Sequence, residues 1–208
     1  MPHAPGLYAV ILAAGESTRM GTDKALLPWP PTAPGVPPTG QTFLTAAIQA
    51  LEPFSEKVIV VAGRNEAAIA PVVYANGASL VCNPEPDRGQ FSSLQVGLRH
   101  VLRDGRDAAM VTLVDRPPVN AATLSALCSA FSEAASGVWA VVPEYNGKHG
   151  HPFLMAIEMI EAFLKAPPSA SAREIEHQNL QHVAYVVVDD PRVTLNVDTP
   201  EEYAALSR

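Results

Sequence analysis

The sequence predicts a three-layer α/β/α domain built on a mostly parallel sheet. From residue 7 to residue 131, short apolar runs of strand length alternate with segments whose apolar residues recur at helical spacing. The runs are apolar almost throughout rather than at every second position, as in strands covered on both faces. The chain has 208 residues, 48% hydrophobic and 17% charged, which suits one domain, residues 1–208, with a sizeable core.

The elements follow in order. "LYAVILA" (7–13) is a short apolar strand, and "FLTAAIQAL" (43–51) sets Phe43, Leu44, Ala47, Ile48 and Leu51 on one helical face. "KVIVVAG" (57–63) is a β-branched strand that ends in glycine. "NEAAIAPVVYA" reads as a helix broken by Pro71, and "SLVCN" (79–83) as a third strand. "SSLQVGLRHVL" carries Leu94, Leu98, Val101 and Leu102 at helical spacing. "AAMVTLVD" (108–115) is a buried strand, and "TLSALCSAF" (123–131) a further helix. After Gly137 two strands, "VWAVVPEY" and "HPFLMAI", are separated only by a short turn. A helix "EMIEAFL", a polar segment "AREIEHQNLQH" that suits either helix or loop, and a strand "VAYVVVDD" (183–190) precede the closing "NVDTPEEYAAL". "PWPPTAPGVPPTG" (28–40) holds six prolines in thirteen residues and is an extended loop.

Composition excludes several classes of function. A net charge of −7 argues against nucleic acid or an anionic membrane as partner, so an anionic ligand needs a local cluster of cations. Cys82 and Cys128 have neither metal-type spacing nor a disulfide framework, and core packing is their expected role. The run 7–14 is too short to span a bilayer and has no basic residue before it, so a cytoplasmic protein is expected.

The stretch "VILAAGESTRMGTDKALLPW" (10–29) places a glycine loop and two cations after the first strand. Its G-x5-G spacing is not the dinucleotide fingerprint, and Gly15, Gly21 and Lys24 do not form a P-loop. Loops at the carboxyl edge of a parallel sheet bind ligands. Backbone N–H groups near Ala14 and Gly15, the Arg19 fork and the mobile Lys24 charge together suit phosphate oxygens. Asp115 ends a buried strand, and Pro117 keeps Arg116 out of a helix, so the carboxylate belongs either to the crevice or to a simple Asp-x-Pro turn. Asp198 precedes a capping box of Thr199, Pro200 and Glu202, where an acidic residue suits a metal or merely the helix dipole. His149 and His151, two apart, belong on one face of a strand, and two such ligands make a poor zinc site.

"LAAGESTRMGTDKALLP" resembles the signature of the MobA-like NTP transferase family, matching at Leu12, Ala13, Ala14, Gly15, Ser17, Arg19, Met20, Gly21, Lys24, Leu26 and Leu27. "NPEPDRGQFSSLQVGL", "LVDRPPV", "GHPFLM" and "LNVDTPEEY" resemble further motifs of the family in the same order, over nearly the whole chain. LAAG rather than LAGG, with the Gly-Gln-Phe-Ser-Ser-Leu stretch, is most similar to the molybdenum cofactor cytidylyltransferase (MocA) type. The chain departs from the family in its long Pro-rich loop and in Arg116, where a neutral residue is usual.

The resemblance implies a Rossmann-like nucleotidyltransferase fold with a short antiparallel element. It implies transfer of a nucleoside monophosphate from an NTP, with CTP favoured, to a phosphorylated acceptor, molybdopterin. Arg19, Lys24 and Asp115 are then the catalytic residues. Leu12, Ala13, Ala14, Gly15, Arg19, Lys24, Gly89, Ser92 and Ser93 bind nucleotide, Asp115 and Asp198 bind Mg²⁺, and His151 is a polar wall of the acceptor pocket. A molybdoenzyme or its chaperone is the transient partner implied. The alternatives are a guanylyltransferase for the same cofactor, a sugar-phosphate nucleotidylyltransferase, and a non-catalytic nucleotide-binding regulator. The intact set Arg19, Lys24, Asp115 and Asp198 argues against the last.

Overall fold

The computed structural model describes residues 6–15, 17, 20–31, 40–167 and 169–206. Strand β1 (Leu7–Leu12) is buried at every position. Leu7, Ala9 and Ile11 enter one core, while Tyr8, Val10 and Leu12 enter another. Period-two alternation between two covered faces explains a strand with no polar position. A short 3-10 turn (Lys24–Leu26) and helix α1 (Phe43–Leu51) follow, the helix capped by the Thr42 side chain, which accepts from the Thr45 N–H.

Strand β2 (Lys57–Ala62), α2 (Glu66–Ala75), β3 (Ser79–Cys82), α3 (Gln90–Arg103), β4 (Ala108–Leu113) and α4 (Ala121–Ser132) continue the alternation. The second half holds β5 (Ala140–Tyr145), β6 (Lys148–His149), β7 (Phe153–Ala156), α5 (Ile157–Lys165), α6 (Ala172–Gln178), β8 (Val183–Val187) and α7 (Pro200–Ala205).

One sheet carries these strands in the order β3-β2-β1-β4-β7-β5-β6, with β8 also paired to β5. The β1–β2, β1–β4, β2–β3 and β5–β8 ladders are parallel, whereas β7 runs antiparallel to both β4 and β5. The antiparallel element therefore lies among the later strands, as expected. Helices α1, α2 and α4 cover one face through Leu44, Ile48, Ile69, Val73, Leu124 and Leu127. Helices α3, α5 and α6 cover the other through Leu94, Leu98, Met159, Phe163 and Ile175. A third, smaller cluster of Leu27, Phe43 and Val197 ties the C-terminal segment to the loop after β1. No helix among the described residues is long and apolar enough to cross a membrane.

The chain proceeds from β1 outward to β2 and β3, then returns to place β4 on the other side of β1. That reversal is a topological switch point, where the loops leaving adjacent strands part and open a crevice at their carboxyl ends.

Three sequence expectations change. Helix α2 runs unbroken through Pro71, because Pro71 is exposed and the helix is anchored on its opposite side by buried Ile69 and Val73. The carbonyl that loses its partner to proline belongs to Ala67, on the exposed face, where water can satisfy it. Cys82 is exposed rather than packed in the core, since it ends the edge strand β3. Cys128 is half-buried in α4, and burial pushes its thiol up to about 11. His149 and His151 do not share a strand face, for the strand is interrupted between β6 and β7 and the period-two rule stops there. His149 is exposed and stacks on Tyr185 at 3.8 Å, whereas the enclosed Nδ1 of His151 lies on the inner side.

Candidate active site

The loop after β1 and the loop after β4 meet at the switch point. β1 pairs with both neighbours up to Leu12, opposite Val61 and Leu113. The ladder extends one step further as the Ala13 N–H donates to the Val61 carbonyl and the Val114 N–H to the Leu12 carbonyl. Beyond it, the loop folds back through Ser17, whose Oγ accepts the Lys24 N–H at 3.0 Å. Asn65, at the start of α2, clamps this loop. Its Nδ2 donates to the Ala13 carbonyl (2.9 Å) and to Asp23 Oδ2 (2.6 Å), while its Oδ1 accepts the Gly63 N–H. The backbone beside Lys24 is thus fixed on both sides.

The Lys24 ammonium lies between two carboxylates, 2.6 Å from Asp198 Oδ1 and 3.4 Å from Asp115 Oδ2. Asp198 reaches the site because the Val197 N–H donates to the Asp115 carbonyl at 2.9 Å and Val197 itself is buried with Leu27 and Phe43. The Thr199–Glu202 capping box expected from sequence is formed, and Glu202 also accepts the Asp198 N–H at 2.6 Å. Asn196 Nδ2 holds the second oxygen of Asp198 at 2.6 Å. The second oxygen of Asp115, Oδ1, is buried and has no hydrogen-bond partner among the described residues. Such an oxygen calls for a donor or a cation. Two carboxylates beside a solvent-open cleft suit a hard divalent ion that completes its shell with water and phosphate oxygens. Among the described residues no group of three or more His, Cys, Asp or Glu is placed to hold a metal, so protein ligands alone do not enclose one.

Three adjoining lobes open here. The first, about 210 Å³, is lined by Leu12, Gly15, Ser17, Lys24, Asp115 and Asp198 among others. The second, about 280 Å³, is lined by Ala14, Gly15, Pro86, Gly89, Gln90 and Ser93 among others. The third, also about 280 Å³, is mostly apolar, with Phe91, Leu94, Leu113 and Phe153 in its walls and His151 as one of its polar groups. Leu12 and Gln90 border all three.

Lys24, Asp115, Asp198, Leu12 and Gly15 are therefore brought together, Ala14, Gly89 and Ser93 line the adjacent lobe, and His151 lines the third. Ala13 is buried behind the loop, and Ser92 is turned inward. The Ser92 hydroxyl donates to the Gly89 carbonyl at 2.7 Å and accepts from Asn83 Nδ2 at 2.8 Å. Both residues shape the site from beneath. Arg19 lies outside the described residues.

Gln90 was not singled out from sequence although it stands inside the Gly-Gln-Phe-Ser-Ser-Leu stretch. It becomes the first residue of α3 because Gly89 takes φ 91°, a turn that favours glycine. Asn65 was also missed, and only its place two residues after the glycine that follows β2 marked it.

Arg116 sends Nη1 to the Leu195 carbonyl at 3.2 Å, fastening the loop after β4 to the segment that carries Asp198. Burial lowers its pKa, and the charges of Asp115 and Asp198 oppose that shift. His151 keeps some contact with the lobe, but its Nδ1 is enclosed and has no hydrogen-bond partner among the described residues. Enclosure, with the nearby Arg116 charge, pushes its pKa down to about 3, so the ring is neutral at pH 7.

The family model described as the MobA-like NTP transferase domain matches residues 9–184. A probable molybdenum cofactor guanylyltransferase of Rhodopirellula baltica is 35% identical over 140 residues, which cover 66% of this chain and 63% of that protein. The molybdenum cofactor cytidylyltransferase of Escherichia coli K12 is 22% identical over 199 residues, covering 93% of this chain and 92% of that one. Among solved structures, Rv0371c of Mycobacterium tuberculosis H37Rv superposes with a TM-score of 0.79 at 25% identity, covering 97% of each chain. A complex of that protein with manganese gives 0.73 at 23% identity, again over 97% of each chain.

Proposed function

The chain belongs to the MobA-like NTP transferase family and is a nucleotidyltransferase, and from that premise we propose that it moves a nucleoside monophosphate from CTP to a molybdopterin-type phosphomonoester, releasing pyrophosphate. The observation that carries the reading is the meeting of Lys24, Asp115 and Asp198 in the cleft at the end of β1 and β4.

The acceptor phosphate has a second pKa of about 6 and is mostly a dianion at neutral pH, so the reaction needs no general base. An acceptor oxygen forms a bond to the α-phosphorus while the bond to the β-phosphate oxygen breaks. The protein's task is alignment and neutralisation of charge. Lys24 and Arg19 hold the triphosphate, the ammonium as a movable point charge and the guanidinium as a planar fork. Asp115 and Asp198 hold Mg²⁺, which supplies the remaining charge neutralisation at the phosphates. Asp115 Oδ1, without a partner among the described residues, and the manganese complex of the structurally similar Mycobacterium protein support that assignment.

The second lobe, between Ala14 and Ser93, takes the base. The third, apolar lobe takes the acceptor's ring system, with neutral His151 as a hydrogen-bonding partner. CTP is preferred on the ground that the Ala14 methyl narrows the wall beside the base. GTP is the second reading, favoured by the 35% identity to a probable guanylyltransferase. Pyrophosphate release measured with CTP, GTP and ATP, each with molybdopterin and Mg²⁺, tests both. The proposal expects the highest kcat/KM with CTP. A GTP preference moves the assignment to the guanylyl reading, and no release with any nucleotide refutes nucleotidyl transfer to this acceptor.

A further inference from the structure

The Lys24 ammonium does not stand free in the cleft. It sits on the two carboxylates assigned above to the metal, at 2.6 Å from Asp198 Oδ1 and 3.4 Å from Asp115 Oδ2, and its side chain is only 11% exposed. A divalent ion bound through the same oxygens meets that positive charge at close range, in a partly buried place where screening is weak. The carboxylate pair carries −2 and the ammonium offsets one of those charges at close range, while the Arg116 guanidinium also lies near enough to interact with both. The remaining ligand atoms are not equivalent. Asp198 Oδ2 is held by Asn196, whereas Asp115 Oδ1 is buried without a partner among the described residues.

The head group can leave without disturbing the loop. The Lys24 backbone is fastened by its N–H to Ser17 Oγ, and its neighbour Asp23 is fastened to Asn65. Between that anchor and the charge lies a flexible four-carbon stem. The same lobe that holds the two carboxylates is lined by Gly15 and Ser17 of the loop, so phosphate oxygens bound there lie within the ammonium's swing.

We propose that Lys24 is the resident counter-ion of the metal site. It holds Asp115 and Asp198 in place until a triphosphate draws it onto phosphate oxygens and opens the carboxylates to the divalent cation. This rests on the nucleotidyl-transfer reading and adds to it a coupling. Nucleotide raises metal affinity by removing a competitor as well as by supplying ligands, and by linkage metal raises nucleotide affinity by the same factor.

The test uses metal alone, so it is separate from turnover. Mn²⁺ binding to the nucleotide-free protein is measured from the loss of the free-ion EPR signal. Lys24→Met keeps the length and removes the charge, and it is expected to bind Mn²⁺ more tightly by roughly 5- to 150-fold, the usual range of coupling between two sites. Lys24→Arg keeps a cation at the position and is expected to remain weak. The double variant Lys24→Met/Asp198→Asn is expected to lose the gain. Mn²⁺ affinity in Lys24→Met equal to or below that of the unmodified chain overturns the proposal, even when the unmodified enzyme turns over normally. Absence of pyrophosphate release in the unmodified chain instead strikes the reading beneath it. Crystals of the unmodified chain soaked in saturating Mn²⁺ give the same test without a substitution. Metal on Asp115 and Asp198 with the ammonium withdrawn beyond about 4 Å, the limit of an ion pair, supports the exchange. Metal and ammonium both on Asp198 Oδ1 overturns it.

Discussion

Asp115 offers one oxygen to Lys24 and keeps the other enclosed without a partner among the described residues. Leaving a buried acceptor unsatisfied costs about 1–3 kcal/mol, a cost that a bound cation removes. Asp115→Asn retains the shape and loses the charge. Turnover at saturating Mg²⁺ should fall roughly a hundredfold or more, while circular dichroism stays unchanged. Near-normal turnover would refute the metal assignment. Ala14 lines the lobe assigned to the base. Ala14→Gly should raise kcat/KM for GTP relative to CTP, within the roughly 10- to 200-fold scale of pocket misfits, without necessarily inverting the preference. An unchanged ratio would show that the methyl does not select the base. The places of Gly15 and Asp115 at the crevice were legible because each follows closely on a strand end, and strand ends fix position. Ala13 and Ser92 were not, because a motif marks which residues stand near a site and not which side chains face it. The inward turn of Ser92 depends on Asn83, nine residues away.

Gly150 shows how an element boundary is set by close approach. Its N–H donates to the Pro143 carbonyl, and the next residue donates to the Val193 carbonyl at 2.8 Å. A Cβ on Gly150 would lie 1.9 Å from that same Val193 oxygen, so the backbone would have to move. Gly150→Ala should destabilise the protein by about 1–3 kcal/mol, read as a lower urea midpoint with an unchanged slope. A midpoint within error of the unmodified chain would contradict the packing described. The strands and helices of the first half were legible almost to the residue, since the strands are unbroken apolar runs and most of the helices carry one apolar face. The segment 146–153 was not. Its apparent strand is split into β6 and β7, and the interruption turns His151 inward. Proline was over-read in α2, where an exposed position lets water take the carbonyl left unpaired.

At the scale of the whole molecule, stability should depend on acid through His151. Its pKa in the folded chain, about 3, lies below the ordinary value of 6.5, so between those limits the unfolded chain binds more protons. Stability is complete above about pH 6.5 and declines as pH falls toward 3, by at most about 1.4 kcal/mol per pH unit from this group. His151→Gln should flatten the urea midpoint between pH 7 and pH 5, and an equal slope in both proteins would exclude His151 as its source. Periodicity made the layers legible but not the strand order, because a covered strand looks alike wherever it stands in a sheet. The antiparallel strand was expected only from the resemblance. Strand order is nevertheless what joins the site, drawing Lys24, Asp115 and Asp198 from segments 91 and 174 residues apart. That separation is also an interval of time. A ribosome adding 5–20 residues per second makes Asp198 roughly 9 to 35 s after Lys24. For that period the nascent chain can shape β1, its loop and even Asp115, yet lacks Asp198, so the three side chains meet only after the sheet's strands have all been synthesised.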